Sequence, residues 1–147
     1  MSEGMAKFRM IPDMKVVDVM TMQAEAVSED DSIGAAMDIL DREDYNSLPV
    51  TREGMLVGMI TKLELLKAIN NANSKMHPGP LDLDNERVKD YMRQATVSVK
   101  PDDTLRAAAS YMIEFRLRSL PVVRAGKLVG IISEGDIMKS LASGSKQ

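Results

Sequence analysis

The chain has 147 residues, 44% of them hydrophobic and 28% charged, with a formal charge of −3 and no cysteine. That is a globular composition, enough for one domain or two half-size units. It excludes disulfides, thiolate catalysis and thiolate metal sites, the single His excludes multi-histidine zinc, and no apolar run approaches the ~20 residues of a bilayer span.

Taken in chain order, the elements come twice. Residues 16–67 repeat at 88–139 with a constant offset of 72, no gap, and 19 identical pairs in 52 positions. The opening MSEGMAKFRM is acidic early and has no apolar core, unlike a secretory leader, so a soluble, cytoplasmic protein without a membrane partner is expected. Val16–Met20 and Val88–Met92 have the apolar spacing of one helical turn, and Val27 and Val97–Val99 suggest brief extended pieces. Ser32 and Thr104 are predicted N-caps. Ile33, Ala36, Met37 and Leu40 follow at i, i+3, i+4, i+7, matched by Leu105, Ala108, Ala109 and Met112.

Ser47–Thr51 with Met55–Ile60, and Ser119–Val123 with Lys127–Ile132, read as β-hairpins turning at Gly54 and Gly126. Thr61 and Ser133 open closing helices carried by Leu65, Leu66, Ile69 and by Ile137, Met138, Leu141. The fold class is therefore α/β (α+β): two pseudo-symmetric β-α-β-β-α units after a helical start. A unit of ~55 residues is short of core alone, so the two are expected to pack sheet to sheet as one compact module. The expected boundaries are 8–70 and 87–141, a polar connector at 71–86, and flexible tails at 1–7 and 142–147.

Three motif sets carry a family resemblance: Val19-Met20-Thr21, Ser47-Leu48-Pro49-Val50 and Gly54-x-Leu56-Val57-Gly58-x-Ile60-Thr61-x-x-Glu64 in the first repeat. The second has Tyr91-Met92, Ser119-Leu120-Pro121-Val122-Val123 and Gly126-x-Leu128-Val129-Gly130-Ile131-Ile132-Ser133-x-x-Asp136. Over about residues 8–141 the chain resembles a tandem pair of CBS domains, a Bateman module, of the free-standing kind. The resemblance implies a regulatory sensor that signals to a partner protein. It implies a cleft between the units for AMP, ADP, ATP or S-adenosylmethionine, and a homodimer arranged as a four-unit disc. Some members bind no known ligand, so a structural dimerisation module is the alternative. No resident cofactor is required, and Mg²⁺ would arrive only with ATP.

Ser133-Glu134-Gly135-Asp136 follows a strand and opens a helix, where unpaired N–H groups and the dipole suit a phosphate. A carboxylate's acceptors fit the two neighbouring hydroxyls of a ribose, and Gly135 permits close approach. The same spacing is an ordinary capping arrangement, and both readings stand. The family usually has Asp at the ribose position. Asp136 keeps it, while Glu64 is one methylene longer and suits the reciprocal capping bond better. By family geometry the Asp136 cleft would also use Thr21 to Ala26, Tyr45 and Asn46, walls from Ile131 and Ile132, and Arg118 (then Arg116) for phosphate. The mirrored cleft would use Thr61, Glu64, Thr96 and Leu117, with Asn46 where the other has Arg118.

The thirteen Met residues are best read as core filling among few aromatics. His77 reads as a loop residue, and the acidic runs Glu29-Asp30-Asp31 and Asp41–Asp44 as solvated faces at helix ends. No P-loop, general acid–base pair or activated nucleophile is present, so no enzyme activity is expected. The basic group Arg116, Arg118, Arg124 and Lys127 is too small to argue for nucleic-acid binding.

Overall fold

The computed structural model describes residues 10–22, 25–43, 45–72, 82–94 and 97–144. Thr96, His77, the Pro78–Pro80 stretch, Asp44, the whole of the expected tail at 1–7 and residues 145–147 of the other lie outside the described residues. The strands are β1 (Thr21–Met22), β2 (Val27–Ser28), β3 (Ser47–Arg52), β4 (Met55–Thr61), β5 (Ser119–Arg124) and β6 (Lys127–Ser133). The helices are α1 (Ile33–Arg42), α2 (Lys62–Ala72), α3 (Leu105–Phe115) and α4 (Glu134–Gly144), and single 3-10 turns fall at Val16–Asp18 and Val88–Asp90.

The caps act as expected. Ser32 Oγ accepts from the Ala35 N–H at 3.1 Å, and Thr104 Oγ1 from the Ala107 N–H at 3.0 Å. Ile33, Ala36 and Leu40 on α1, and Leu105, Ala108 and Met112 on α3, are buried. Both hairpins turn on two residues with positive φ: Glu53 and Gly54 at 53° and 81°, Ala125 and Gly126 at 51° and 81°. Positive φ at both central positions marks the turn whose twist matches paired strands. Each hairpin also has a register shift, at Val50/Thr51 and at Val122/Val123, which the residue pattern does not signal.

The compact units are not the contiguous repeats. One, which we call the Asp136 unit, comprises described residues 10–22 and 97–144; the other, the Glu64 unit, comprises 25–72 and 82–94. Each repeat's lead-in turn thus serves the other repeat's body. In the Asp136 unit, Val16 N–H donates to Asp103 O at 2.8 Å, and Leu105 N–H donates to Met14 O at 3.0 Å. In the Glu64 unit, Val88 N–H donates to Asp31 O at 2.9 Å, and Ile33 N–H donates to Glu86 O at 3.0 Å. The expected boundaries at 8–70 and 87–141 therefore follow the repeat but do not outline the packed bodies. Both lead-ins read Val-x-Asp-x-Met, so either can fill either body's core.

Each unit has its own core. Val16 packs with Val99, Leu105, Leu120, Val122 and Ile132 in one, and Val88 with Val27, Ile33, Leu48, Val50 and Ile60 in the other. A fully buried Val contributes about 1.5–3 kcal/mol. Met59 and Met112 are buried, and Met14, Met20, Met37 and Met92 pack against these cores, in line with core filling; Met10, Met22, Met55 and Met138 are exposed.

The sheets match. In the Asp136 unit, β5 pairs antiparallel with β6, β1 pairs antiparallel with β6, and Val99 bridges Val122 in parallel. In the Glu64 unit, β3 pairs antiparallel with β4, β2 pairs parallel with β3, and Arg93 bridges Met59. A Cβ on Gly130 would stand 2.8 Å from Thr21 O, and one on Gly58 would stand 2.6 Å from Arg93 O. Only glycine lets the lead-in backbone lie that close to the strand.

One expectation needs correction. Glu29 is not a solvated acid: it is buried and bonded through both oxygens to the Arg52 guanidinium. Arg52 projects from the end of β3 and closes over the turn after β2, drawing the carboxylate in. The hydrogen bond from Arg52, with the charges of Arg52 and Lys89, holds the Glu29 carboxyl below its usual range against the opposing effect of burial.

Candidate functional site

β6 ends in Ser133, and α4 starts at the next residue. Ser133 Oγ accepts from the Asp136 N–H at 3.1 Å, and Asp136 Oδ2 accepts from the Ser133 N–H at 2.9 Å. This is a complete reciprocal cap, with both side chains half-buried. Glu134 N–H donates to Arg118 O at 2.9 Å, which ties the start of α4 to the residue before β5. The Arg118 Nε also meets the Glu134 carboxylate at 3.2 Å, with both side chains more than half exposed. A Cβ on Gly135 would meet only Ser133 Oγ, at 3.5 Å. Packing therefore does not demand glycine there.

β1 runs along the same strand, with Thr21 opposite Ile131 and Met22 opposite Gly130. Thr21 is exposed and Ile131 half-buried. Ile132 points the other way: it is fully buried in the unit's core, so its side chain cannot serve as a wall, as had been expected from the sequence. The Asp136 unit thus brings together Thr21, Arg118, Ile131, Ser133 and Asp136 from a strand edge, a strand start and a helix N-terminus.

The Glu64 unit has the same frame with different chemistry. Thr61 Oγ1 accepts from the Glu64 N–H at 3.0 Å, and Asn46 O accepts from the Lys62 N–H at 3.0 Å. Here the lead-in residue opposite the strand is Arg93, which exchanges backbone hydrogen bonds with Met59 at 3.0 and 2.8 Å. Its Nε lies 3.2 Å from Glu64 Oε1, and the Glu64 side chain is only 14% exposed. The expected preference of Glu64 for the reciprocal cap is reversed. The longer side chain reaches the arginine, and it is Asp136 that closes the cap.

Ala26 lies half-buried just before β2 and Tyr45 is exposed after α1, both in the Glu64 unit with Asn46, Thr61 and Glu64. Arg93 and Glu134 were missed by sequence reasoning. The signal for Arg93 was its alignment with Thr21 at the 72-residue offset, one of the least conservative pairs in the repeat. Among the described residues no group of three or more His, Cys, Asp or Glu could hold a metal ion, and no helix is long and apolar enough to cross a membrane.

Comparison with known proteins agrees with this frame. The CBS domain family profile matches residues 16–71 and 88–143. The uncharacterized protein MJ1404 of Methanocaldococcus jannaschii is 32% identical over 143 residues, which are 93% of this chain but 34% of the relative. The CBS domain-containing protein YhcV of Bacillus subtilis is 29% identical over 123 residues, 83% of this chain and 81% of the relative. Among solved structures, the crystal structure of CBSX2 in complex with AMP superposes with a TM-score of 0.73 at 28% identity, covering 90% of this chain and 98% of that one.

Proposed function

The chain belongs to the CBS-domain family, and we propose that it is a regulatory module whose Asp136 unit binds an adenosine-containing ligand, AMP in the first instance, and signals to a partner protein. The observation that carries this reading is the Ser133–Asp136 cap beside the open Gly135 at the start of α4. The AMP-bound relative supports the class of ligand.

In this reading the cap aims the Asp136 carboxylate, whose Oδ1 accepts from the ribose hydroxyls. Ser133 and the first amides of α4 meet a phosphate. Arg118 joins them by trading Glu134 for the phosphate. An exposed ion pair is worth about 0–1 kcal/mol, so that exchange is cheap. Ile131 offers apolar contact to the base, and Thr21 a hydroxyl. S-adenosylmethionine shares the ribose but lacks the phosphate, so it would make less use of Arg118. No step here is catalytic. The ligand regulates only by binding one conformational state better than another.

A second reading, an association module without a small ligand, draws on exposed apolar side chains. Ile113 is 78% exposed, and Tyr111 and Phe115, also on α3, and Met138 on α4 are exposed as well. Thermal shift with AMP, ADP, ATP, S-adenosylmethionine and NADH separates the two. Ligand linkage gives about 2.7 kcal/mol of stabilisation at 100-fold excess over the dissociation constant. We expect a rise in Tm with AMP that is absent in Asp136→Ala. No response to any of the five, with dimers intact by light scattering, would favour the association module.

A further inference from the structure

We propose that the Glu64 unit is filled by its own Arg93, so that each chain binds one adenosine ligand and not two. This rests on the preceding reading of the Asp136 unit and deepens it.

The two repeats align position by position through the 72-residue offset. Arg93 stands where Thr21 stands, Met59 where Ile131 stands, Glu64 where Asp136 stands, and Asn46 where Arg118 stands. The backbone pairing is equivalent, with Thr21 opposite Ile131 and Arg93 opposite Met59. The side chains differ, and the changes at positions 93, 64 and 46 act in one direction.

First, Glu64 is engaged. Its Oε1 forms an ion pair with the Arg93 Nε at 3.2 Å, and with its side chain 14% exposed it is shielded from water far more than Arg93 is. Ribose hydroxyls are neutral donors, and they would have to compete with this ion pair to reach it. At Asp136 the Oδ2 takes a backbone amide, and the residue at the arginine's position is Thr21.

Second, Arg93 cannot withdraw by moving its backbone. It is tied to Met59 in both directions, at 3.0 and 2.8 Å. Its carbonyl lies 2.6 Å from where a Cβ of Gly58 would be. The strand thus presses the lead-in into place and sets the guanidinium on Glu64.

Third, the phosphate side has lost its arginine, with Lys62 standing where the other unit has Glu134. Asn46 replaces Arg118, so a phosphate displacing Arg93 from Glu64 would find no second guanidinium waiting. The arginine that might have bound an anion is held by the carboxylate that might have bound the sugar.

The test is the number of AMP molecules bound per full-length chain, measured by isothermal titration calorimetry and equilibrium dialysis. The variants are Asp136→Ala, the double substitution Arg93→Thr with Glu64→Asp, and the triple combination. Arg93→Gln with Glu64→Asp repeats the opening with a side chain of similar bulk, and thermal melts check folding. Wild type should bind one AMP, Asp136→Ala none, the double variant two, and the triple variant one. The count is read at the lowest AMP concentration that saturates wild type, where loss of the Asp136 contact leaves the site unfilled. Two AMP in wild type, falling to one in Asp136→Ala, overturns the self-filled site and leaves the reading of Asp136 standing. No AMP in wild type but one in the double variant upholds the plug and overturns the reading of Asp136. No AMP or S-adenosylmethionine in any variant overturns both.

Discussion

Val16 donates its N–H to the carbonyl of Asp103 at 2.8 Å, across most of the chain's length. Through this bond and its buried side chain, the lead-in of the first repeat completes the body of the second. Val16→Ala should therefore cost about 2 kcal/mol, from lost burial and an incompletely collapsed cavity. Hydrogen exchange should show the loss of protection in Leu105–Phe115 and the hairpin of β5 and β6. Ile33–Arg42 should stay protected until global unfolding. Val88→Ala should give the mirror image. Loss of protection in Ile33–Arg42 on Val16→Ala would mean that each lead-in serves its own repeat.

The reciprocal cap at α4 separates stability from binding. Ser133→Ala removes the side-chain acceptor for the Asp136 N–H and should cost about 1 kcal/mol by denaturant melt. Asp136→Asn keeps the shape of the side chain but loses its charge, so its stability loss should be no larger. Its AMP affinity should fall further than that of Ser133→Ala. Equal affinities in the two variants would argue that Asp136 acts only as a cap.

Much of this was legible from residues alone. The 72-residue register, the Ser32 and Thr104 caps, the hairpins and the helix starts at Thr61 and Ser133 are all local patterns, and each follows from side-chain chemistry within a few positions. What was not legible is long-range. The lead-ins have the same apolar pattern, so their exchange between repeats leaves no trace in composition. Glu29 looked like one of three solvated acids until Arg52 was found above it. Glu64 looked like the better cap because nothing near it in sequence announces Arg93. Ile131 and Ile132 read as equivalent until the strand's alternation sent one to the core.

Glu29 predicts an acid dependence. Its folded-state pKa is lowered, chiefly by the Arg52 hydrogen bond, from an ordinary value of 4.5. A lowered carboxyl contributes stability that is present above the unfolded value and lost as pH falls through the folded one. The Tm difference between wild type and Glu29→Gln should thus be full at pH 7, begin to shrink near pH 4.5, and vanish at lower pH. A difference that stays constant through that window would contradict the ion pair.

Tyr91 predicts an alkaline one. Its hydroxyl donates to Glu86, and this bond, then burial and the charges of Glu86 and Asp90, raises its pKa from 10.0 to about 12. Because the folded value is raised, the contribution is complete below the unfolded pKa and lost as pH rises towards about 12. Tyrosinate absorbance should show a late phase towards about 12, and Tyr91→Phe should abolish it. The Tm gap between Tyr91→Phe and wild type should close over the same pH range. A late phase that Tyr91→Phe leaves unchanged, or no late phase at all, would contradict the contact.

The most direct measurement of where a ligand sits is a titration of the ¹⁵N-labelled chain with AMP, followed by amide chemical shifts. The account predicts saturable changes concentrated at Thr21–Met22, Gly130–Ser133 and Glu134–Asp136, with Thr61–Glu64 and Arg93 largely still. Saturable changes centred on Glu64 and Arg93 with Asp136 unmoved, or no changes at millimolar AMP, would contradict it.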